Sequence, residues 1–585
     1  MVHDELPLFD WEEPRAPGAV ASPRCSGGIG SAVVAGLVAE RFPGIAGDEE
    51  ALAKFLSPKV ADMGHPFEMP GVREAAGKIL DAVAAGGEIV VFGDFDADGV
   101  TATAILTDVI RRLGGRVRPF IPVRAEGYGL SEAAVTRCLS GGSPKLLVTV
   151  DCGMGAGVEL RRFLAAGAEI VVSDHHLPGE PLPSECTVVS THSEGVPEAC
   201  RVLCGAGVAY KIACGATVLK YPAPSKVGRA ELLGWLDALS VATVADVVPL
   251  VGENRLLVAC GLARLNKAPR IGLKELILAA FSDLGSITTD QLGFILAPHI
   301  NSAGRMKSAE VPLELLLARD ADTARQCAVS LKQTNALRKS EDTRLCREAE
   351  ALIAAGGVFD EKSDGAVVVA GENWPAGVIG LAASRLSEKY GRPAVVISLM
   401  PDGGARGSVR APRGYNAHAA LTECAGHLAG FGGHESAAGL SLAPEDVPAF
   451  RKAFCEACFK QVGAVRVRQG IEVEAWLGAG DIDTGLLADM HRLEPFGEGN
   501  PEPVFGVRDV AVRASAMGKA EKIHLRLHFE RAGEFELDGV WFGAAGHLAE
   551  IESHSRWDVI GTLMEDTFTG ELRVKLRVID MRPAR

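Results

Sequence analysis

Apolar residues in the first half of the chain fall into short continuous runs separated by segments with helical periodicity. Three runs rich in β-branched residues lie at 88–92, 145–150 and 169–173, with helical patterns at 100–113 and 158–166 between them. Continuous rather than alternating apolar runs are typical of strands buried on both faces. Strands joined by helices form parallel sheets with right-handed crossovers. The pattern therefore predicts a buried parallel sheet.

The pattern of apolar and polar residues changes twice in the middle of the chain. Residues 310–356 show charged, alanine-rich helical periodicity with no proline after Pro312, which predicts a connecting helix or helix pair. Apolar runs return at 365–370 and 393–398, again followed by helical patterns. We therefore expect a second α/β domain that ends near residue 460.

Beyond about residue 465 the apolar pattern has a period of two, which is typical of half-buried strands. The apolar positions of the two clearest runs are Ile523, Leu525, Leu527, Phe529, Leu572, Val574, Leu576 and Val578. The alternate positions are largely cationic and include Arg526, Arg573, Lys575 and Arg577. A small barrel of the oligonucleotide-binding (OB) type fits this pattern best.

The chain of 585 residues is too long for one ordinary core. We predict an α/β protein in five segments: an N-terminal extension with helices at 1–85, a parallel-sheet catalytic domain at 86–309, a helical connector at 310–360, a second α/β domain at 361–462, and a β-barrel at 463–585. The barrel would bind nucleic acid.

Composition narrows the possible environments and partners. No apolar run reaches the roughly 18 residues of a membrane span, and the acidic start does not resemble a secretory signal, so we expect a cytoplasmic protein. The 13 cysteines form no spaced framework, and Cys455 and Cys458 favour buried thiols over a zinc or redox pair. The net charge of −15 does not exclude a nucleic-acid partner, because a narrow channel needs local positive charge only.

Acidic and imidazole side chains follow all three strands of the first predicted sheet. Asp94, Asp96 and Asp98 come after the first strand, Asp151 after the second, and the triplet 174–176 (Asp-His-His) after the third. The carboxyl ends of parallel strands share one edge, where ligands bind. Like charges gathered there would repel one another unless cations neutralised them. The sequence therefore predicts a metal site.

The ligand types indicate which metal the site would hold. Mixed carboxylate and imidazole ligands suit two divalent cations, Mn²⁺ or Mg²⁺, sharing a phosphate substrate. Asp98 has the alternative role of a helix cap. The spacing from Asp94 to Gly99 imitates a calcium-binding EF-hand loop, but the twelfth position is Ile105 rather than glutamate, so that interpretation fails.

Several segments resemble the DHH/DHHA1 phosphoesterase family, and within it the exonucleases specific for single-stranded DNA. The resemblance runs in order from about residue 86 to the end and is carried by the segments 93–103, 148–153, 174–176, 236–250, 252–255, 298–305, 407–410, 431–439 and 493–505. It implies a DHH catalytic domain, a DHHA1 substrate-binding domain and an OB barrel.

The resemblance also implies roles for the acidic constellation. Asp94 and Asp151 would bind one ion, while Asp96, Asp151, His175 and Asp246 would bind the other, with Asp151 bridging. His176 would face the scissile phosphate, and Asp174 would orient its neighbouring histidine. The proposed catalytic residues are therefore Asp96, Asp151, His175 and His176.

The activity implied is 5′→3′ hydrolysis of single-stranded DNA to 5′-mononucleotides, in repair and recombination. The substrate-binding residues would be Arg124, Asn301, Arg305, Ser408, Arg410 and His434. The cationic barrel face would hold the incoming strand, or else be an ordinary solvated face. A single-strand binding protein and a RecQ-type helicase are possible partners, and the chain would be a monomer.

Two other functions and three local features stay open at this stage. The chain could be a non-catalytic DNA-binding relative, or a phosphodiesterase or pyrophosphatase acting on very small substrates. Residues 190–192 and Cys152 depart from the family pattern without removing a ligand. Residues 5–9 resemble peptides that dock on a sliding clamp, although an acidic loose tail is the favoured interpretation.

Overall fold

The structure is a computed structural model that forms two compact units, of residues 59–465 with 497–500 and of residues 1–58 with 466–496 and 501–585. It describes residues 6–14, 29–127, 129–221, 229–281, 285–401, 403–463, 466–468, 470–478, 480–518, 523–531, 535–566 and 571–584. The larger unit contains both predicted α/β domains, and the smaller one contains the barrel.

The N-terminal elements belong to the smaller unit. They are β1 (Asp10–Glu12), α1 (Ala32–Arg41), α2 (Pro43–Ala46) and α3 (Glu49–Leu56). Asp48 starts α3 by accepting hydrogen bonds from the first-turn amides of Glu50 and Ala51. Leu37, Leu52 and other apolar residues of these helices join the core of the barrel.

The first sheet of the larger unit is parallel throughout, as predicted. Its strands are β2 (Glu88–Phe92), β3 (Arg116–Phe120), β4 (Leu146–Val150), β5 (Glu169–Asp174) and β6 (Thr187–Ser190). They lie in the order β3–β2–β4–β5–β6. The chain leaves β2 toward β3 and then returns to β4 on the other side of β2. The carboxyl ends of β2 and β4 therefore flank the topological switch point, where open α/β sheets bind ligands.

Helices cover both faces of this sheet. Helices α4 (Val72–Ala84), α5 (Ala97–Arg112) and α8 (Gly205–Lys220) pack on one face, and α6 (Glu132–Ser140) and α7 (Gly157–Ala165) pack on the other. The remaining helices of the domain are α9 (Arg229–Leu233), α10 (Leu236–Ala245), α11 (Gly252–Lys267), α12 (Ile271–Phe281), α13 (Thr289–Gln291) and α14 (Ala297–Met306). Helix α5 is buried from Ala97 to Ile110, so the segment after β2 leads straight into the domain core. None of the described helices combines the length and apolar character that crossing a bilayer requires.

The predicted connector is a helix pair. It consists of α15 (Glu310–Leu317) and α16 (Ala321–Ala354). At 1.5 Å per residue, the 34 residues of α16 span about 51 Å. Asp320 starts α16 by accepting a hydrogen bond from the backbone amide of Thr323 at 2.8 Å.

The second α/β domain contains a mixed sheet. Its strands are β7 (Val367–Glu372), β8 (Ala394–Leu399), β9 (Ala405–Arg410), β10 (Gly430–Gly433) and β11 (Ala437–Leu442), in the order β10–β11–β9–β8–β7. The helices are α17 (Ile379–Tyr390), α18 (Ala417–Glu423) and α19 (Val447–Val462). Cys455 and Cys458 are buried free thiols on α19, as the sequence favoured.

The last domain is a closed barrel, as predicted. Its elements are β12 (Gly470–Glu472), β13 (Ala475–Trp476), α20 (Thr484–His491), β14 (Phe505–Met517), β15 (His524–Arg531), β16 (Phe535–Trp541), α21 (Leu548–Glu552), β17 (Trp557–Asp566) and β18 (Arg573–Pro583). The order β14–β15–β16–β18–β17 closes because β17 also pairs with β14.

Two of the apolar positions predicted to face the barrel core do not. Leu525 and Leu527 are buried, but Ile523 and Leu572 are 48% and 47% exposed. Each lies one residue before its strand begins, at His524 and Arg573, so the strand alternation does not reach them.

The structure divides the predicted N-terminal segment of 1–85 between the two units. Helices α1 to α3 pack with the barrel, whereas α4 packs on the first sheet. Residues 6–12 are not a loose tail, because Asp580 accepts hydrogen bonds from the amides of Leu8 and Phe9 and β1 pairs with β12. Glu5 lies outside the described residues.

Candidate metal centre

The loop after β2 brings two carboxylates to the switch point. Asp94 is fully buried, and Asp96 caps α5 by accepting hydrogen bonds from the amides of Asp98 and Gly99 at 3.0 Å each. A Cβ atom at Gly99 would lie 2.6 Å from the backbone nitrogen of Asp94. Glycine is therefore required for α5 to start this close to the strand.

Asp151, the residue after β4, lies at the same place and has a strained backbone conformation. Asp151 has a φ of 58°, which is uncommon outside glycine. Its amide donates to the carbonyl of Ser173 on β5 at 3.0 Å, which fixes this turn. A Cβ atom at Gly205 would lie 2.5 Å from Asp151 Oδ1, so glycine lets the start of α8 approach the carboxylate.

The residue that ends β5 organises the loop behind it. Asp174 Oδ1 accepts from the amides of His175 and His176 and lies 2.8 Å from His176 Nδ1, while Oδ2 accepts from the amide of Met154. Asp174 thus orients His176, the neighbouring histidine that is 44% exposed. Burial alone would raise the pKa of Asp174, but the hydrogen bond and charge of His176, together with the amides of Met154 and His176, lower it overall. The hydrogen bond to Asp174 also raises the pKa of His176.

His175 joins carboxylates from two other segments. Its Nε2 lies 3.2 Å from Asp151 Oδ1 and 3.5 Å from Asp246 Oδ2, at the end of α10. Burial lowers the pKa of His175 to about 4, so the ring is neutral at physiological pH and suited to bind a metal. The carbonyl of His175 accepts hydrogen bonds from Thr191 Oγ1 and His192 Nε2. The segment that departs from the family pattern therefore supports the histidine loop.

Asp98 lies close to the donor atoms of His175 and Asp246. Asp98 Oδ2 lies 4.0 Å from His175 Nε2, in a possible ligand group with His175 and Asp246, whereas Asp96 groups with Asp94 and Asp151. Asp98 also accepts hydrogen bonds from the amides of Gly205 and Ala206, at 2.6 and 2.9 Å. It therefore caps α8, a later helix than the one predicted.

Burial and mutual repulsion keep protons on these carboxyl groups in the absence of cations. Burial, with repulsion from Asp96, raises the pKa of Asp94 to about 8. Burial, with repulsion from Asp98, raises the pKa of Asp246 to about 9. The same two causes raise the pKa of Asp151 well above its ordinary range. The cluster would therefore ionise fully at neutral pH if positive charge were supplied.

The donor atoms fit divalent cations. Among the described residues, buried atoms that make no hydrogen bond include both carboxylate oxygens of Asp94, Asp151 Oδ1, Asp246 Oδ2 and His175 Nε2. Unsatisfied buried acceptors are costly. Separations of 3.2 and 3.5 Å between donors match neighbouring ligands of one ion, which lie about 3 Å apart at metal–ligand distances near 2.1 Å. These residues would hold Mn²⁺ or Mg²⁺.

A cluster of arginines lies next to the carboxylates. Arg124 stacks on the ring of Phe95 at 4.3 Å, and its positive charge acts on both Asp94 and Arg305. Burial, followed by repulsion from Arg124, lowers the pKa of Arg305 to about 10. Arg410, which is also close to Arg305, donates to Ser408 Oγ at 3.0 Å.

The arginine cluster faces the start of α17. A Cβ atom at Gly380, the second residue of α17, would lie 3.1 Å from both Arg410 Nη2 and Ser408 Oγ. Arg305 Nη1 donates to the carbonyl of Gly377, just before that helix. In the part of the chain described, neither Arg305 nor Arg410 forms an ion pair with a carboxylate. Unpaired guanidiniums at a helix N-terminus are suited to bind an anion.

The remaining predicted substrate residues occupy different positions. Asn301 Oδ1 accepts a hydrogen bond from the amide of Ala97 at 2.7 Å, so Asn301 holds the Asp94–Asp96 loop. His434 follows β10, and its amide donates to the carbonyl of Ala437, the residue paired with Arg410 across β11 and β9. His434 therefore stands at the same end of the sheet as Arg410.

The cationic barrel residues are mostly paired with acids. Arg573 pairs with Glu571 at 3.3 Å and Lys575 with Asp566 at 2.7 Å. Arg577 donates to Glu502. These pairs reduce the positive charge that the barrel face would offer to a nucleic acid, so they favour the solvated-face interpretation at these three positions.

Family models match all three folded regions. The model of the DHH family N-terminal domain matches residues 88–235, the DHHA1 domain matches 363–460, and the RecJ OB domain matches 473–580. These matches confirm the fold inferred from the sequence resemblance.

Curated relatives extend the match over most of the chain. A protein of Thermus thermophilus described as single-stranded-DNA-specific exonuclease RecJ is 34% identical over 521 residues, covering 88% of this chain and 71% of that protein. The chain belongs to the RecJ family. The RecJ exonuclease of Bacillus subtilis is also 34% identical, over 91% of this chain, which spans 66% of the length of that relative.

Solved structures of a RecJ protein contain the metals predicted here. The crystal structure of Thermus thermophilus RecJ with Mn²⁺ superposes with a TM-score of 0.82 and 28% identity, covering 99% of this chain and 80% of that one. Its counterpart with Mg²⁺ gives a TM-score of 0.77 and 27% identity, covering 99% and 79%. The prediction of divalent cations is confirmed at the level of the family.

We expect cation binding to stabilise the protein more strongly at higher pH. The folded pKa values of about 8 for Asp94 and about 9 for Asp246 exceed the ordinary value of 3.8, so the metal-free fold loses stability as pH rises from about 4 toward 9. Ionised ligands bind cations, so the rise in Tm on adding Mg²⁺ should be larger at about pH 8.5 than at about pH 6.

Thermal unfolding with Mg²⁺ or with chelator measures this effect. Asp246→Asn should reduce the pH dependence, whereas Asp290→Asn, at an exposed position of the same unit, should preserve it. A Tm response to Mg²⁺ that does not change with pH would contradict the assignment of these buried ligands.

Proposed function

We propose that this protein is a metal-dependent exonuclease that degrades single-stranded DNA from its 5′ end to 5′-mononucleotides. The observation that carries the proposal is the placement of buried, unpartnered carboxylate oxygens beside unpaired guanidiniums in one unit. The carboxylates need cations to neutralise them, and the guanidiniums need an anion. A phosphodiester with its metal ions supplies both.

The carboxylates and imidazoles have separate tasks in this proposal. Divalent cations, when bound, supply Lewis acidity and lower the pKa of water. Asp151 and His175 fix the donor positions because each is buried and held by backbone contacts. His176, whose pKa is raised by Asp174, would donate a proton from Nε2 to a phosphate oxygen, since Nδ1 is held by Asp174.

Recognition of the 5′ end would come from the arginine cluster. Arg410 and Ser408, with Arg305, would hold the terminal phosphate at the start of α17, because guanidinium groups match phosphate oxygens. Arg124 lies between this group and Asp94. A phosphate held at the arginine cluster would therefore place the adjacent phosphodiester at the metal centre, which gives 5′→3′ polarity.

The proposed substrate, cellular role and partners are inferred from the family. The relatives are described as single-stranded-DNA-specific exonucleases, and we propose the same substrate for this chain. We also propose a cytoplasmic role in DNA repair and recombination, as a monomer assisted by a single-strand binding protein and a RecQ-type helicase. Residues 5–9 are less suited to a sliding clamp than the sequence suggested, because Leu6 and Leu8 pack against the barrel core.

Asp151→Asn should abolish most hydrolysis without unfolding the protein. Asparagine tolerates the positive φ of this position but removes the carboxylate that could bind a cation with Asp94 and Asp96 or with His175 and His176. We expect kcat on 5′-phosphorylated single strands with Mn²⁺ to fall by at least about 10²- to 10³-fold. The Tm of the metal-free protein near neutral pH should change little, because burial and repulsion already keep a proton on Asp151 there. Retained turnover would refute the assignment of Asp151.

Arg410→Ala should weaken discrimination of the 5′ end. We expect kcat/KM for 5′-phosphorylated strands to fall by about 10- to 100-fold, and the difference between 5′-phosphate and 5′-hydroxyl strands to narrow. Lys460→Ala is the matched control, because Lys460 lies in the same domain and pairs with Glu423. Dinucleotides or pyrophosphate consumed while long single strands survive would overturn the proposed substrate.

A further inference from the structure

The buried face of the connector helix α16 is apolar toward both ends and polar at its centre. Its buried apolar positions are Ala324, Cys327, Ala328 and Leu331 toward one end and Leu345 and Ala349 toward the other. The helical spacing between them falls on Asn335, Arg338 and Asp342. Polar groups on a buried stripe destabilise a helix unless they are satisfied or serve a function.

Two of these three polar residues have partners on α17 or on α16 itself. Asp342 is 1% exposed and pairs with Arg385 of α17 at 2.9 Å. Asn335 is 2% exposed, and its Oδ1 accepts hydrogen bonds from Arg338 Nε at 3.2 Å and Nη2 at 3.0 Å. A neutral amide therefore orients the guanidinium of Arg338 without neutralising it.

The charge of Arg338 acts on other arginines. Helix α14, which carries Arg305, packs against α16, and the charge of Arg338 adds to burial and to Arg124 in lowering the pKa of Arg305. Within the described residues, Arg338 forms no ion pair, although the carboxylate of Asp342, which pairs with Arg385, also attracts its charge. One carboxylate acting on two guanidiniums leaves an excess of positive charge beside Arg305, which an additional anion would neutralise.

We propose that Arg338 is a substrate-positioning residue that binds a backbone phosphate of the DNA strand, beside the phosphate held by Arg305 and Arg410. The inference rests on the proposed function and extends it, because it makes the connector helix α16 part of the phosphate-binding site. Asn335 holds Nε and Nη2, which leaves the Nη1 donors for a phosphate oxygen. The three arginines come from α14, α16 and β9, so one strand would contact both α/β domains and the helix that joins them.

The test measures binding in the absence of catalysis. Asp151→Asn protein in chelator at about pH 7, where Asp94 and Asp246 are still largely protonated, is titrated with a fluorescent 5′-phosphorylated oligothymidylate at several salt concentrations. Adding Arg338→Ala should weaken binding by at least roughly 10-fold. The slope of log K against log salt should become less steep by about 0.7, the amount for one phosphate contact on a single strand.

Three further variants distinguish positioning from structure. Arg338→Lys keeps the charge and should preserve the salt slope, while affinity falls because the oriented guanidinium is lost. Arg347→Ala is the matched control: it is exposed on α16, nine residues on and about half a turn around the helix, and should change neither quantity. Asn335→Ala should lower affinity with an unchanged salt slope.

The thermal stability of the DNA-free protein gives an independent readout. Arg338→Ala relieves repulsion but loses the hydrogen bonds to Asn335, so the Tm should change little, whereas a purely structural role predicts a clearly lower Tm with an unaltered salt slope. That second result, or equal affinity and slope in the presence and absence of Arg338, overturns the inference alone. Failure of the Asp151→Asn protein to bind any single strand overturns the proposed function and this inference together.

Discussion

Negative charge buried without hydrogen-bond partners is the constraint on which the rest of this structure depends. Asp94 and Asp151 are almost completely buried, and their carboxylates lie near Asp96, Asp98 and Asp246. Repulsion and desolvation of this size are tolerated only where cations neutralise the charge. The local backbone is adapted to the same purpose, because Asp151 adopts a positive φ and glycine at 99 lets α5 begin against Asp94.

The helices around the first sheet connect the two charge clusters. Helix α5 begins at the metal centre, α10 ends there, and α14 holds the β2 loop through Asn301 while carrying Arg305 one turn later. A displacement of α14 would therefore alter the acidic loop and the arginine cluster together. The placement of Asn301 and the proposed phosphate-binding Arg305 on one rigid helix suits phosphoryl chemistry, which is sensitive to errors of about 1 Å.

The sequence predicted the sheet and its acidic edge because both follow from short-range patterns. Apolar runs identify buried strands, and residues directly after parallel strands must share an edge. The pattern could not decide whether Asp96 or Asp98 lies beside His175, because the start of a helix rotates successive side chains by about 100°. It also missed Thr191 and His192, whose contacts with the carbonyl of His175 depend on the pairing of β5 with β6.

Periodicity arguments fail in a different way where a polar residue lies on a buried face. Asn335 and Arg338 would be assigned to solvent by composition, although the spacing of their apolar neighbours places them inward. The barrel shows a different limit, since its basic residues suggested a DNA-binding face and the pattern could not show that three of them pair with acids. Counting cations therefore says little about nucleic-acid binding in a chain of net charge −15. The informative cations are those that the fold gathers in one place without an ion pair, because an external anion can then neutralise their excess charge.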